Sequence, residues 1–197
     1  MRRLFVFVVL AALLGLSADA LAASDEVVST PGHIVSMRVE AAFYEIDAKM
    51  ARDLQVKSAP KGEEVAPTDF VVSTVDGWGL KALSADLEKK SVVVNRPVLS
   101  MPSGQRATLT ISSVLPFLDE HCTQQFARVD SGFTATPTLH TDGTITLKVE
   151  LTVPHTPKQL KVSAERSFSP GGAMTMVTAD DGSGKGLLVV FTPSEEK

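Results

Sequence analysis

The chain has 197 residues, a formal charge of −4 and a single cysteine. A mildly acidic chain is a poor fit to nucleic acid, whose phosphates demand clustered Lys and Arg. One cysteine, Cys122, excludes a framework of intramolecular disulfides, and the length allows one domain with a real core.

Arg2 and Arg3 precede an apolar run from Leu4 to Leu16, and small residues follow in Ala-x-Ala patterns at Ala18-Asp19-Ala20 and Ala20-Leu21-Ala22. This predicts a secretory signal peptide over residues 1–22, because the run is too short to span a bilayer comfortably and a cleavage site follows it. No second apolar segment approaches membrane-span length, which leaves a barrel open, since membrane strands need only alternate. Residues 23–32 are small and polar and read as a flexible leader. The β domain is then expected over residues 33–193, with a charged tail at 194–197.

Val35, Met37, Val39, Ala41 and Phe43 alternate with Ser36, Arg38, Glu40, Ala42 and Tyr44, which predicts a long strand. Glu45 places a carboxylate in phase with the apolar face, either where the strand leaves the core or paired with Arg38 or Lys49. A turn or two of helix follows from Asp47, and Ser58 to Thr68 is a Pro-, Gly- and charge-rich loop. Phe70 to Val75 is a short strand. Leu80, Leu83 and Leu87 at i, i+3 and i+7 then predict one amphipathic helix ending near Lys90.

Beyond the helix the chain is β again. Ser91 to Val94 is a strand, Arg96-Pro97 interrupts it, Val98 to Met101 resumes, and Pro102-Ser103-Gly104 is a turn. Ala107, Leu109 and Ile111 alternate up to Val114-Leu115-Pro116-Phe117, whereas Asp119 to Asp130 has no clear period. The stretch from Gly132 to Val153 is the plainest in the chain. Ile145, Leu147, Val149, Leu151 and Val153 face one way, Thr144 to Thr152 the other, and Asp142-Gly143 supplies the tight turn of a hairpin. Pro137 cannot donate to a ladder, so it belongs at an edge or bulge. Lys161 to Phe168, Met174 to Thr178 and Leu187 to Thr192 complete the strands, with Pro170-Gly171-Gly172 a turn that needs glycine after proline. The fold class expected is mainly β: antiparallel or mixed sheets of long alternating strands with one packed amphipathic helix.

Several strings imitate catalytic motifs. Phe70 to Ala82 imitates a strand, glycine turn and helix of a dinucleotide site, but no βαβ alternation follows. Gly182-Ser183-Gly184-Lys185-Gly186 leads into a strand instead of a helix, and Ser58-Ala59-Pro60-Lys61 lies in a loop with no helix to aim its pair. His121-Cys122 lacks a second ligand pair. No catalytic, cofactor-binding or metal residue is assigned, and an enzyme is not expected.

Six strings in order resemble the C-terminal domain of the bacterial secretins, the outer-membrane channel proteins of type II and type III secretion and of type IV pili. Val35 to Ile46 resembles the family's V-x-I-E-A-x-I-x-E-V, which accounts for Glu40 and Glu45. Val93 to Met101 with Gly104 to Ala107 is similar to V-L-S-x-P-x-L-x-T-x-x-G-x-x-A, and Val114-Leu115-Pro116 falls where the family places V-P. Gly132 to Pro137 stands for G-x-x-L-x-V-x-P, Asp142 to Val149 for D-G-x-V-x-L-x-I, and Leu187 to Pro193 for the terminal L-x-V-x-x-T-P.

The resemblance implies a non-enzymatic exported structural protein of the periplasm or outer membrane, forming or assisting a secretion or pilus channel. It implies homo-oligomers paired edge to edge into a ring, with other secretion or pilus components as possible partners, no nucleic acid and no cofactor. The assembly residues it implies are Val35, Met37, Val39, Glu40, Phe43, Glu45, Pro97, Gly104, Pro116, Gly132, Pro137, Gly143, Leu147, Val149, Gly171, Thr192 and Pro193. Against the family pattern, the stacked periplasmic domains are missing and the interval from Val177 to Leu187 is short. The alternative is therefore a monomeric periplasmic β module that binds a protein or small ligand.

Overall fold

Strand β1 (Ser36–Ile46) is the axis of the molecule. The computed structural model describes residues 34–60, 64–118, 124–155, 158–180 and 184–196, and places side chains outside 113–130 and 154–158. The expected signal peptide and leader, His121-Cys122 and Gly182-Ser183 lie outside the described residues. The alternation on β1 predicts one buried face, and two are found. Met37, Val39 and Ala41 are fully buried on one side, and Ala42, Tyr44 and Ile46 are nearly so on the other. The strand therefore sits in the middle layer of three.

That middle layer is a six-stranded antiparallel sheet. β1 pairs on one side with β10 (Gly186–Glu195). On the other it pairs with β3 (Ser91–Asn95) and β4 (Val98–Pro102), set end to end. Arg96-Pro97 makes the break between them, and the Pro97 carbonyl still accepts from Ala41 N–H at 2.9 Å. Beyond β10 come β9 (Ala173–Thr178) and β2 (Val71–Val75).

One face of this sheet carries two full helices, where the sequence predicts one amphipathic helix and a turn or two from Asp47. Helix α1 (Ala48–Ser58) has three turns because Asp47 caps it, its carboxylate accepting from Lys49 N–H at 2.8 Å. Its buried residues are Ala51 and Gln55, and Gln55 donates to the Pro67 and Asp69 carbonyls at 3.3 and 2.7 Å, fastening the preceding loop to the helix. Helix α2 (Gly77–Lys90) matches expectation: Asp76 caps it, Leu87 is buried and Leu80 and Leu83 pack beside it.

The third layer is an antiparallel meander, β5 (Ala107–Leu118), β6 (Gln124–Leu139), β7 (Ile145–His155) and β8 (Lys158–Phe168). Phe133, Ala135, Leu147, Val149 and Leu151 bury one face of it against Val39, Met101, Met176, Val189 and Phe191 of the six-stranded sheet. Three strand limits differ from the sequence reading. β6 begins at Gln124, inside the aperiodic stretch, because β5 supplies a pairing partner back to Leu118. The β7 and β8 strands run to within two residues of each other. β10 continues past Pro193 because β1 extends to Ser36, and Glu196 N–H donates to the Ser36 carbonyl at 2.8 Å.

The turns follow their residues. The hairpin joining β6 to β7 closes with His140 N–H to Thr144 O at 2.9 Å and Gly143 N–H to His140 O at 3.0 Å, Gly143 taking a φ of 82°. This is a three-residue loop with glycine in the left-handed position, one residue longer than the tightest turn. Asp142 accepts from the Thr144 hydroxyl at 2.7 Å and from its N–H at 2.8 Å. Those two bonds, with His140 nearby, hold the Asp142 carboxyl below the usual carboxylate range. A carboxyl depressed on folding stabilises above its unfolded pKa, and that contribution is lost as pH falls through the lower folded value. Asp142→Ala is accordingly expected to be less stable than the parent near neutrality. The gap should close in urea titrations carried down to about pH 2, and a gap independent of pH would refute the assignment.

Candidate assembly interface

The residues with the strongest assembly signal in the sequence lie on strands whose edges are already occupied. β1, with Met37, Val39, Glu40, Phe43 and Glu45, is paired on both sides, and β7, with Leu147 and Val149, lies between β6 and β8. These strands build the core and cannot add to a neighbouring molecule through their backbones. Met37, Val39, Leu147 and Val149 are fully buried, and Thr192 and Pro193 oppose Glu40 and Val39. Glu45 pairs with Lys185, neither Arg38 nor Lys49, while Arg38 reaches Glu40 at 3.7 Å. Val35 accepts from Ser103 N–H through its carbonyl at 2.9 Å.

The remaining predicted positions are scattered through turns and strand ends. Gly104, φ 76°, donates to the Pro137 carbonyl at 2.7 Å. Pro137 is buried where β5 has already ended, so only its β7 side needs a ladder. Pro116 lies within β5, an outermost strand, opposite Phe126. Gly171, φ 82°, closes the Ser169 to Gly172 turn after Pro170. Gly132 lies opposite Thr110 of β5 and Thr152 of β7.

The outermost strands are therefore β5 and β8 in the meander, and β2 with the β3 and β4 line in the larger sheet. Across the meander one row runs Ala107, Ala135, Val149, Ala164. Arg106 stands just before β5, bonded to Glu150 of β7, and β8 carries Lys161 and Arg166 beside Glu165. The outer face is polar: Arg106 bonds Glu150 at 2.9 Å, Thr108 meets Thr134 at 3.0 Å, and Thr146 bonds Ser167 at 2.7 Å and His140 at 2.8 Å.

On β3, Val92, Val93 and Val94 are 62%, 45% and 62% exposed. No alternation marks these valines as surface residues, and only their continuous β-branched run could have drawn notice. Beside them a cleft of roughly 380 Å³ opens between α2 and the sheet, floored by Tyr44, Leu87 and Val190. Arg96 lies over the Tyr44 ring, 5.7 Å from its centroid, and donates to its hydroxyl at 3.2 Å. A second cleft of roughly 530 Å³ parts the sheets where β2 meets β8, lined by Phe70, Val72, Leu160 and Val162 with Lys161 and Arg166. Among the described residues no group of three or more His, Cys, Asp or Glu is placed to hold a metal ion. No described helix is long and apolar enough to cross a membrane, which says nothing of a barrel.

No family model and no curated protein matches the chain. Among solved structures it is similar in fold to the type IV competence pilus secretin PilQ of V. cholerae, at 11% identity and a TM-score of 0.34, over 83% of this chain and 61% of that one. The type II secretin GspD of enteropathogenic Escherichia coli gives 10% and 0.40, over 84% and 70% of the two chains. The secretin InvG of the Salmonella SPI-1 injectisome gives 14% and 0.32, over 83% and 62%. The chain thus spans less than two thirds of PilQ and InvG, and each is a likeness in fold.

Proposed function

We propose that this chain is a non-catalytic structural subunit, exported to the periplasm or outer membrane. In this reading its copies join edge to edge into a closed ring that forms or assists a protein-secretion or pilus channel. The observation that carries the reading is the four-stranded meander. An even number of antiparallel strands lets β8 of one copy meet β5 of the next without breaking the alternation, so each uncovered edge finds a partner strand. Head-to-tail pairing of this kind closes into a ring when its rotation allows.

A second reading is favoured by one observation. The apolar face of the meander is covered by the six-stranded sheet, and its outer face is rich in hydroxyls and charges. That arrangement suits a monomeric periplasmic module whose clefts take a protein or small ligand. Light scattering of the mature protein, in buffer and again in mild detergent, separates the two. A large, discrete mass in detergent supports the ring, and a monomer mass unchanged by detergent sinks it and leaves the binding module.

A further inference from the structure

We infer that the cleft between β2 and β8 binds a free long-chain carboxylate, its head on Arg166 and its tail laid between the edges of the two sheets. This rests on the reading of the chain as a monomeric binding module, and names the ligand of that module.

The cleft has a closed end and an open one. β2 and β8 are outermost strands of their two sheets, and both border it. They come together at Gly172, where an added Cβ would lie 3.1 Å from the Val75 carbonyl oxygen and 3.4 Å from the Phe168 Cβ. Val75 ends β2 and Phe168 ends β8, so both strands run toward this point and part from each other behind it. Phe70 and Val72 line the gap from one side, Leu160 and Val162 from the other, all half-buried and packed against the core between the sheets. The segment from Glu64 to Asp69, which leads into β2, bounds the open end. It is held in place from α1: Arg52 donates to the Val65 carbonyl at 2.6 Å, and the buried Gln55 donates to the Pro67 and Asp69 carbonyls.

Arg166 decides what enters. It stands opposite the fully buried Leu147, so β8 carries this cation in the same core-facing row as Leu160 and Val162. It is nevertheless exposed. Its guanidinium donates to the neighbouring Glu165 carbonyl at 2.8 Å, and no carboxylate among the described residues pairs with it. Two positions before Phe168, it lies toward the closed end, away from Glu64 and Asp69. Lys161 belongs to the outer row, opposite Thr152. A lone guanidinium over an apolar gap fits one negative charge joined to an apolar body. A carboxylate carries a single charge and meets the planar guanidinium through two parallel hydrogen bonds, whereas a phosphate monoester brings about two charges to one cation. The body is an alkyl chain because the two edges diverge. One straight peptide could pair with β2 or with β8, and would turn its other row of amides toward unpaired apolar surroundings.

Isothermal titration of the mature chain with dodecanoate, below its micelle concentration, should show one site per monomer. Dodecanol keeps the tail and acetate keeps the head, and each should bind at least about tenfold more weakly. Arg166→Gln changes an exposed position and should weaken dodecanoate about tenfold while leaving dodecanol unchanged. Val162→Trp fills the gap and should weaken both, with circular dichroism to check its fold. Dodecanol binding as tightly as dodecanoate, or dodecanoate indifferent to Arg166→Gln, overturns the inference. So does a monomer with no saturable site for dodecanoate, which leaves the binding module standing with a different ligand. A detergent-stable ring overturns both, because its seam takes the edge of β8 that borders the cleft.

Discussion

Gly132→Ala is expected to lower stability by roughly 3 kcal/mol, in the range that overpacking against an unyielding neighbour produces. A Cβ built at Gly132 lies 2.1 Å from the Leu109 carbonyl oxygen, and 3.0 Å from both the Leu109 carbonyl carbon and the Thr110 Cα. All three are backbone atoms of β5, so no side chain can swing aside and relief requires moving β5 off β6. Gly104→Ala is the comparison. Gly104 has a φ of 76° but nothing within 4 Å of a new Cβ, so it incurs only the left-handed backbone penalty of about 1 kcal/mol. Urea unfolding of both variants gives the measurement. Equal losses would mean that the close approach of the two strands contributes nothing.

Phe133→Ala should cost about as much or more, roughly 3 to 5 kcal/mol, from lost transfer energy and the cavity left behind. Phe133 projects from the meander into the layer between the sheets and is 2% exposed. Its ring meets Phe191 edge-on at 5.3 Å and Phe43 at 6.4 Å, both from the six-stranded sheet. No small residue can keep both contacts, and the rigid strands on either side limit collapse. Phe133→Leu refills part of the space and should lose less than half as much. If Phe133→Ala falls within about 1 kcal/mol of the parent, the joint between the sheets is held elsewhere.

Where residues carry their own periodicity, structure was legible in the sequence. The leucines of α2 are spaced for one helix face, and Asp142-Gly143 and Pro170-Gly171 bring the backbone freedom their turns use. The length of α1 was hidden because its buried residues are Ala51 and Gln55. Gln55 is satisfied by carbonyls of Pro67 and Asp69, which no local pattern announces. The first half of β6 was hidden for a related reason: Gln124 to Asp130 has no alternation of its own, and its ladder comes from β5. The outer edges of the two sheets were the least legible part. Strong alternation marked β1 and β7, but alternation reports the faces of a strand and says nothing of whether its two edges are paired. Which strands are left outermost depends on pairings such as β2 with β9 that join distant parts of the chain, and composition does not encode them.

The pairing of β1 with β10 sets Met37 against Glu195 and Ile46 against Gly186, so the first strand is completed by the last. A chain that emerges N-terminus first, from a ribosome or through a narrow channel, presents β1 with one edge bare until almost every other residue has followed. Such long-range closure slows folding and leaves partly formed sheets open to wrong partners. The central sheet therefore cannot close on β1 until Gly186 to Glu195 is available to pair with it.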